Sequence, residues 1–306
     1  MTVAGQPTAP AMFPNFRRQQ LDTGDATINV VHGGEGPPLL LLHGYPQTHV
    51  MWHLVAPRLA QRFTVVATDL RGYGDSSKPA GDPEHANYSK RTMAVDQLRV
   101  MEMLGFDQFA VAGHDRGARV AYRMARDFSE RVTKLALLDV VPTRYVWEQM
   151  DRRTAMVTYH WLFLAQQFDL PERMIAADPE GWIKWHLKFW SRGRNDFFSP
   201  EAVAEYVRCF SDPSAIHGSC EDYRAGATID LKHESADEED RVRIVCPTLV
   251  LAASPAGSRP GVSALDVWRA EVDDLRGRVV DSGHFLAEEC PDLVTDEFLA
   301  FFGGQR

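Results

Sequence analysis

Residues 110–125, AVAGHDRGARVAYRMA, constrain the fold of this chain more than any other stretch. Small apolar residues run up to Gly113, the turn Gly113-His114-Asp115-Arg116-Gly117 follows, and helical spacing begins at once. Two glycines four positions apart let a strand reverse into a helix where a side chain would collide with neighbouring backbone. Such an elbow pushes its middle residue, Asp115, out of the chain. The surrounding sequence must therefore build a sheet whose strands feed helices.

The rest of the chain agrees with that demand. PPLLLLHGYP is a short apolar run ending in a turn, which suits a strand buried on both faces of a parallel sheet. RFTVVATDLRGYGDS repeats the design with β-branched residues and a glycine-rich loop. Residues 89–105 have helical spacing, with Ser89 as N-cap and Gly105 as the stop. After the elbow come a helix over about 117–127 and the strand VTKLALLDVV. RVRIVCPTLVLAAS, a helix near 263–273, the strand GRVVDSGHF and a closing helix PDLVTDEFLAFFG complete the pattern. Strands alternating with helices predict an α/β fold with a mostly parallel, doubly wound sheet. Between Pro142 and the resumption of strands the texture changes. Residues 143–235 hold five of the seven tryptophans and no convincing strand, which predicts a helical cap inserted between core segments 1–142 and 236–306.

Composition limits the partners. With 306 residues the chain is long enough for one large domain carrying an insertion. A net charge of −9 argues against nucleic acid and against an anionic membrane surface. It also gives no long-range attraction for anions, so any anion specificity must be local. Cys209, Cys220, Cys246 and Cys290 are scattered, with neither a zinc-type spacing nor a disulfide framework. MTVAGQPTAPAMFPNF lacks a basic leader and a long apolar stretch, and no run of about 18 apolar residues occurs. The expectation is a cytoplasmic protein with reduced thiols.

The chemistry starts from a carboxylate at the elbow. Asp115 attacking an ester would yield an unstable anhydride, but attacking a saturated carbon with a leaving group it yields an alkyl–enzyme ester. Hydrolysing that ester needs water and a base. His284 in DSGHF follows the last strand, and chain order attacking group, acid, histidine suits this type of sheet. After PTLVLAAS no carboxylate occurs until Asp266, so Asp139, ending KLALLDV, is the better orienting acid. The Tyr45 N–H, in the loop His43-Gly44-Tyr45-Pro46, and the Arg116 N–H at a helix start are candidate oxyanion donors. His43 reads as a loop-holding residue. Arg116 and Arg119 lie one helical turn apart and can hold a carboxylate together. Plain structural roles stay open for each: an N-cap for Asp115, a core histidine for His284, surface ion pairs for the arginines.

Together these motifs resemble the α/β-hydrolase superfamily over essentially the whole chain. HGYP, DLRGYGDSSKP and the aspartate elbow place it with epoxide hydrolases and haloalkane dehalogenases, and HDRGARV is similar to the haloacetate (fluoroacetate) dehalogenases. The resemblance implies cofactor-free hydrolysis of fluoroacetate to glycolate, with Arg116 and Arg119 on the substrate carboxylate and no metal. It also implies a halide pocket of His160 and Trp161 in TYHWLF and Tyr223 in CEDYRAG, and a homodimer. Epoxide hydrolysis stays open through Tyr159, Tyr206 and Tyr223, since relatives use two cap tyrosines, but it leaves both arginines idle. A non-catalytic receptor for a small carboxylate is the third reading. The small, polar stretch LAASPAGSRPGVSALDVWR departs from the relatives and has no assigned purpose.

Overall fold

The computed structural model describes residues 12–254 and 262–304. The expectations about the N-terminal stretch to residue 11 and about residues 255–261 fall outside that range.

Apolar runs bounded by turns form an eight-stranded sheet: β1 (Arg17–Asp22), β2 (Thr27–Gly33), β3 (Pro38–Leu42), β4 (Thr64–Thr68), β5 (Phe109–His114), β6 (Val132–Leu138), β7 (Thr248–Ala253) and β8 (Leu275–Val280). Their order is β1-β2-β4-β3-β5-β6-β7-β8. The pairs β1–β2 and β2–β4 are antiparallel and the remaining pairs are parallel. Leu39 to Leu42 of β3 are fully buried, as a strand covered on both faces requires. The antiparallel β1–β2 edge was not predicted, because Arg17–Asp22 is RRQQLD, a polar edge strand without apolar alternation.

Helices flank the sheet: α1 (Ala56–Leu59), α2 (Lys90–Met103) and α3 (Asp115–Asp127) on the first half. Ser89 caps α2 by accepting from the Thr92 N–H, and Gly105 follows with a φ of 86°. The elbow helix α3 begins two residues earlier than expected, directly at Asp115. Between β6 and β7 run eight helices: α4 (Thr143–Glu148), α5 (Arg152–Val157), α6 (Tyr159–Leu164), α7 (Leu170–Ala176), α8 (Pro179–Trp190), α9 (Pro200–Phe210), α10 (Pro213–Ala227) and α11 (Ile229–Glu239). Helices α12 (Ala264–Arg269), α13 (Leu286–Glu289) and α14 (Pro291–Gly303) complete the second half. Helix α12 stops short of 273 because Val272 bridges Ile244 instead. Strand β8 ends at Val280, so His284 stands on a loop after the last strand, the place expected from the sequence. None of the helices is long and apolar enough to cross a membrane, among the described residues. All four cysteines are free thiols.

Candidate active site

Open parallel sheets bind ligands outside the carboxyl ends of their strands, where the strand order reverses. Here the order reverses at β3, which has β4 on one side and β5 on the other. The loop after β3 and the elbow after β5 meet at that point. A Cβ on Gly113 would lie 2.5 Å from the Ala118 nitrogen, and one on Gly117 would lie 2.4 Å from the His43 carbonyl oxygen. The elbow backbone thus rests directly on the β3 loop, and only glycine fits at either position. His43 holds that loop: its Nδ1 donates to the Gly44 carbonyl at 3.0 Å and its Nε2 accepts from the Leu70 N–H at 3.0 Å. Asp115 has a φ of 45°, a left-handed conformation that costs on the order of 1 kcal/mol for a residue with a side chain. The Tyr45 N–H donates to Asp115 Oδ2 at 3.0 Å.

The ends of β6 and β8 contribute the next two groups. Asp139 is also left-handed, with a φ of 47°. Its Oδ1 accepts from the Ala253 N–H at 2.9 Å, and its Oδ2 lies 2.7 Å from His284 Nδ1. A proton on Nδ1 donates to Asp139 and leaves Nε2 as the basic nitrogen. Burial lowers the basicity of His284, but the hydrogen bond and charge of Asp139, with the charge of Asp115, outweigh it and raise the pKa above 6.5. For Asp115 burial favours the neutral acid, yet the charges of His284, Arg116 and Arg119 together hold it ionised. Sequence reasoning missed His114, whose ring packs 4.4 Å from that of His284 and whose Nε2 donates to the His284 carbonyl at 2.8 Å. Burial and the neighbouring His284 push its pKa down to about 3, so it braces the loop as a neutral ring.

The helical insertion closes over this edge with aromatic rings. Tyr45, from the β3 loop, stacks against His160 at 6.3 Å and meets Tyr223 edge-on at 5.3 Å. His160 and Tyr223 lie 5.5 Å apart, Trp161 and Tyr223 6.1 Å. The two arginines of α3 reach into the same cluster. Arg116 packs on the Tyr223 ring at 4.2 Å and Arg119 on the Trp161 ring at 4.6 Å. All five side chains are buried. The structure therefore brings Arg116, Arg119, His160, Trp161 and Tyr223 together beside Asp115.

Four polar atoms in this cluster are buried with no partner: Arg116 Nη1, Arg119 Nε, His160 Nδ1 and the Tyr223 hydroxyl. Buried donors are nearly always paired in folded proteins, so this concentration marks a place for a ligand with acceptor atoms. Burial, His186, His284 and the two arginines depress the His160 pKa, keeping it a neutral ring. The other two tyrosines singled out from the sequence are already engaged. Tyr159 bonds His186 Nε2 at 2.9 Å, and Tyr206 donates to Glu288 Oε1 at 3.0 Å. Among the described residues, one group has metal-type donors in reach of one another, Asp75, Glu205 and Cys209. Arg208 bonds both carboxylates and Arg18 bonds Asp75, so cationic side chains already neutralise it.

Residues 37–291 match the α/β-hydrolase fold family. The chain is 47% identical to a fluoroacetate dehalogenase of Burkholderia sp over 94% of its own length and 95% of that protein's. It is 34% identical to a soluble epoxide hydrolase of Corynebacterium sp. (strain C12), over 91% and 94% respectively. A solved structure from Nostoc sp PCC 7120, assigned to the α/β hydrolases, superposes with a TM-score of 0.92 at 52% identity, covering 96% of this chain and 100% of that one. The chain belongs to the α/β-hydrolase family and is a hydrolase similar to the haloacetate dehalogenases.

Proposed function

We propose that this hydrolase cleaves haloacetates, with fluoroacetate the leading substrate, and that the helical insertion acts as the cap of the site. The observation that carries this reading is the set of unpaired buried donors around Asp115. Arg116 Nη1 and Arg119 Nε take the substrate carboxylate through charge-assisted hydrogen bonds. His160, Trp161 and Tyr223 receive the halide, whose departure from carbon needs hydrogen bonds as charge develops. The carboxylate clamp holds the halogen-bearing carbon over Asp115.

An Asp115 carboxylate oxygen then forms a bond to that carbon as the carbon–halogen bond breaks and halide leaves with the electron pair. His284 Nε2 removes a proton from water, and the hydroxide attacks the Asp115 ester carbonyl. The tetrahedral oxyanion rests on the N–H groups of Tyr45 and Arg116. Its collapse leaves Asp115 as the carboxylic acid, which gives its proton to solvent to regenerate the carboxylate, and the departing glycolate oxygen takes the proton from His284. The sum is haloacetate and water to glycolate, halide and one proton. Side chains and solvent handle every proton and electron pair, so the reaction calls for no cofactor.

Epoxide hydrolysis is the second reading, favoured by the Corynebacterium relative. It would need two tyrosine hydroxyls free to protonate the epoxide oxygen, whereas Tyr159 and Tyr206 are bonded elsewhere. Parallel assays on fluoroacetate and styrene oxide separate the two. A single turnover in heavy-oxygen water tests the covalent route: the label should enter Asp115, and label in first-turnover glycolate would mean direct attack by water.

A further inference from the structure

We propose that Asp222 is the positioning residue of the carboxylate clamp: it grips one edge of the Arg116 guanidinium and leaves Nη1 as the end offered to substrate. This deepens the haloacetate reading and rests on it. Arg116 Nε donates to Asp222 Oδ2 at 2.8 Å, and Nη2 donates to Oδ1 at 2.7 Å and to the Asp222 carbonyl at 2.8 Å. Three bonds fix the plane of the guanidinium, because a side-on fork on a carboxylate fixes direction as well as distance. The Nη1 group alone has no partner.

Asp222 is itself held from two further sides. The Tyr73 hydroxyl donates to Oδ2 at 2.7 Å, and the buried Lys90 ammonium donates to Oδ1. Lys90 in turn bonds Asp230. Burial favours a neutral Asp222, but Arg116 and Lys90 hold it ionised, well below the usual carboxylate range. The residue belongs to α10 of the insertion, whereas Arg116 and Asp115 belong to the sheet edge, so the insertion sets the aim of a core arginine.

A second consequence concerns Asp115. Arg116 is its chain neighbour and lowers its pKa by charge alone. A guanidinium released from Asp222 would be free to pair with its chain neighbour Asp115, and such a pair would quench the attacking oxygen. Asp222 thus keeps the arginine on the substrate side. The backbone of α10 leaves room for this arrangement at Gly226, where a Cβ would stand 3.2 Å from Arg116 Nη2.

The test compares Asp222→Asn, Gly226→Ala and Lys90→Met in the full chain, reading kcat and KM for bromoacetate and fluoroacetate together with melting temperature. Asp222→Asn should raise KM about tenfold or more and lower kcat, since the charged two-oxygen fork is lost and only the bond to the backbone carbonyl is certain to remain. Gly226→Ala removes no charge and suits a helix, yet it must displace the guanidinium, so KM should rise severalfold with an unchanged melting temperature. Lys90→Met should lower the melting temperature as Asp222→Asn does, with KM within about threefold of the parent, because the Arg116 fork persists. An active parent whose KM is unmoved or lowered in both Asp222→Asn and Gly226→Ala would overturn the positioning role and leave the haloacetate reading standing. If Asp222→Asn does not fold, Gly226→Ala decides alone. A parent that releases no halide and binds no acetate would overturn both.

Discussion

The carboxyl edge of the sheet and the helical insertion meet across one small space, but they hold their polar groups differently. At the edge, Asp139 has both oxygens bonded, and His284 is fixed through Nδ1 and braced by the His114 ring. In the insertion, His160 Nδ1 and the Tyr223 hydroxyl are buried and unpaired. The base and the attacking group at the edge are already held in the empty protein, although Arg116 Nη1, Arg119 Nε and His114 Nδ1 beside them are buried and unpaired as well. The insertion is finished only by a ligand that accepts its hydrogen bonds. On the proposed mechanism the edge carries the chemistry, and its two arginines share the choice of substrate with the insertion.

Four measurements break or sharpen that division. The largest effect is expected for Asp115→Asn, which removes the attacking carboxylate while keeping its shape. Halide release measured with an ion-selective electrode should fall by about 10³-fold or more. A rate near that of the parent would remove Asp115 from the chemistry.

Asp139→Asn comes next and tests whether the edge owns the base. His284 must be neutral to accept a proton, and Asp139 raises its pKa above 6.5, so the parent's hydrolytic rate should climb with pH through an inflection above that value. The asparagine variant loses the stabilising charge. Its inflection should move to lower pH while kcat drops by about 10²-fold or more, measured across the pH–rate profile. An unmoved inflection would assign the titration to another group.

Tyr223→Phe tests the insertion. Loss of one donor to departing halide should slow fluoroacetate about tenfold and bromoacetate less, because fluoride depends more on hydrogen bonding. Equal losses on both substrates would mean that Tyr223 does not receive halide.

The smallest effect concerns Glu288, which joins the two regions. It accepts from Gln47 of the β3 loop at 2.5 Å and from Tyr206 of α9 at 3.0 Å. Burial pushes its pKa up from 4.5 to about 8. The folded protein therefore keeps a proton that the unfolded chain releases, and stability falls as pH rises from 4.5 towards 8. Glu288→Gln should remove this slope and stabilise the protein at pH 8 by on the order of 2 kcal/mol, read as a higher melting temperature. The gain should vanish near pH 4, and equal gains at both pH values would show that packing, not protonation, is responsible.

Much of the edge was legible in the sequence because its devices are local. Gly113 and Gly117 announce a turn that only glycine permits, and Ser89 and Gly105 bound α2 as expected. Asp139 emerged by elimination, and it lies 2.7 Å from His284 Nδ1. Asp222 was invisible for the opposite reason. It stands next to Tyr223 in CEDYRAG, yet nothing nearby says that its partner is an arginine 106 positions earlier. The available signal was indirect: a buried arginine demands a carboxylate, and CEDYRAG contains two acids. His114 was missed because its neighbour His284 is 170 positions away.

The sequence by itself determined the elbow, the alternation of strands and helices, and which residue types stand at the strand ends, since these depend on steric rules acting over a few residues. Only the tertiary structure decided which donors stay unpaired and which carboxylate aims each arginine. Those outcomes depend on groups from distant segments being buried together, where each polar atom must find a partner or wait for a ligand.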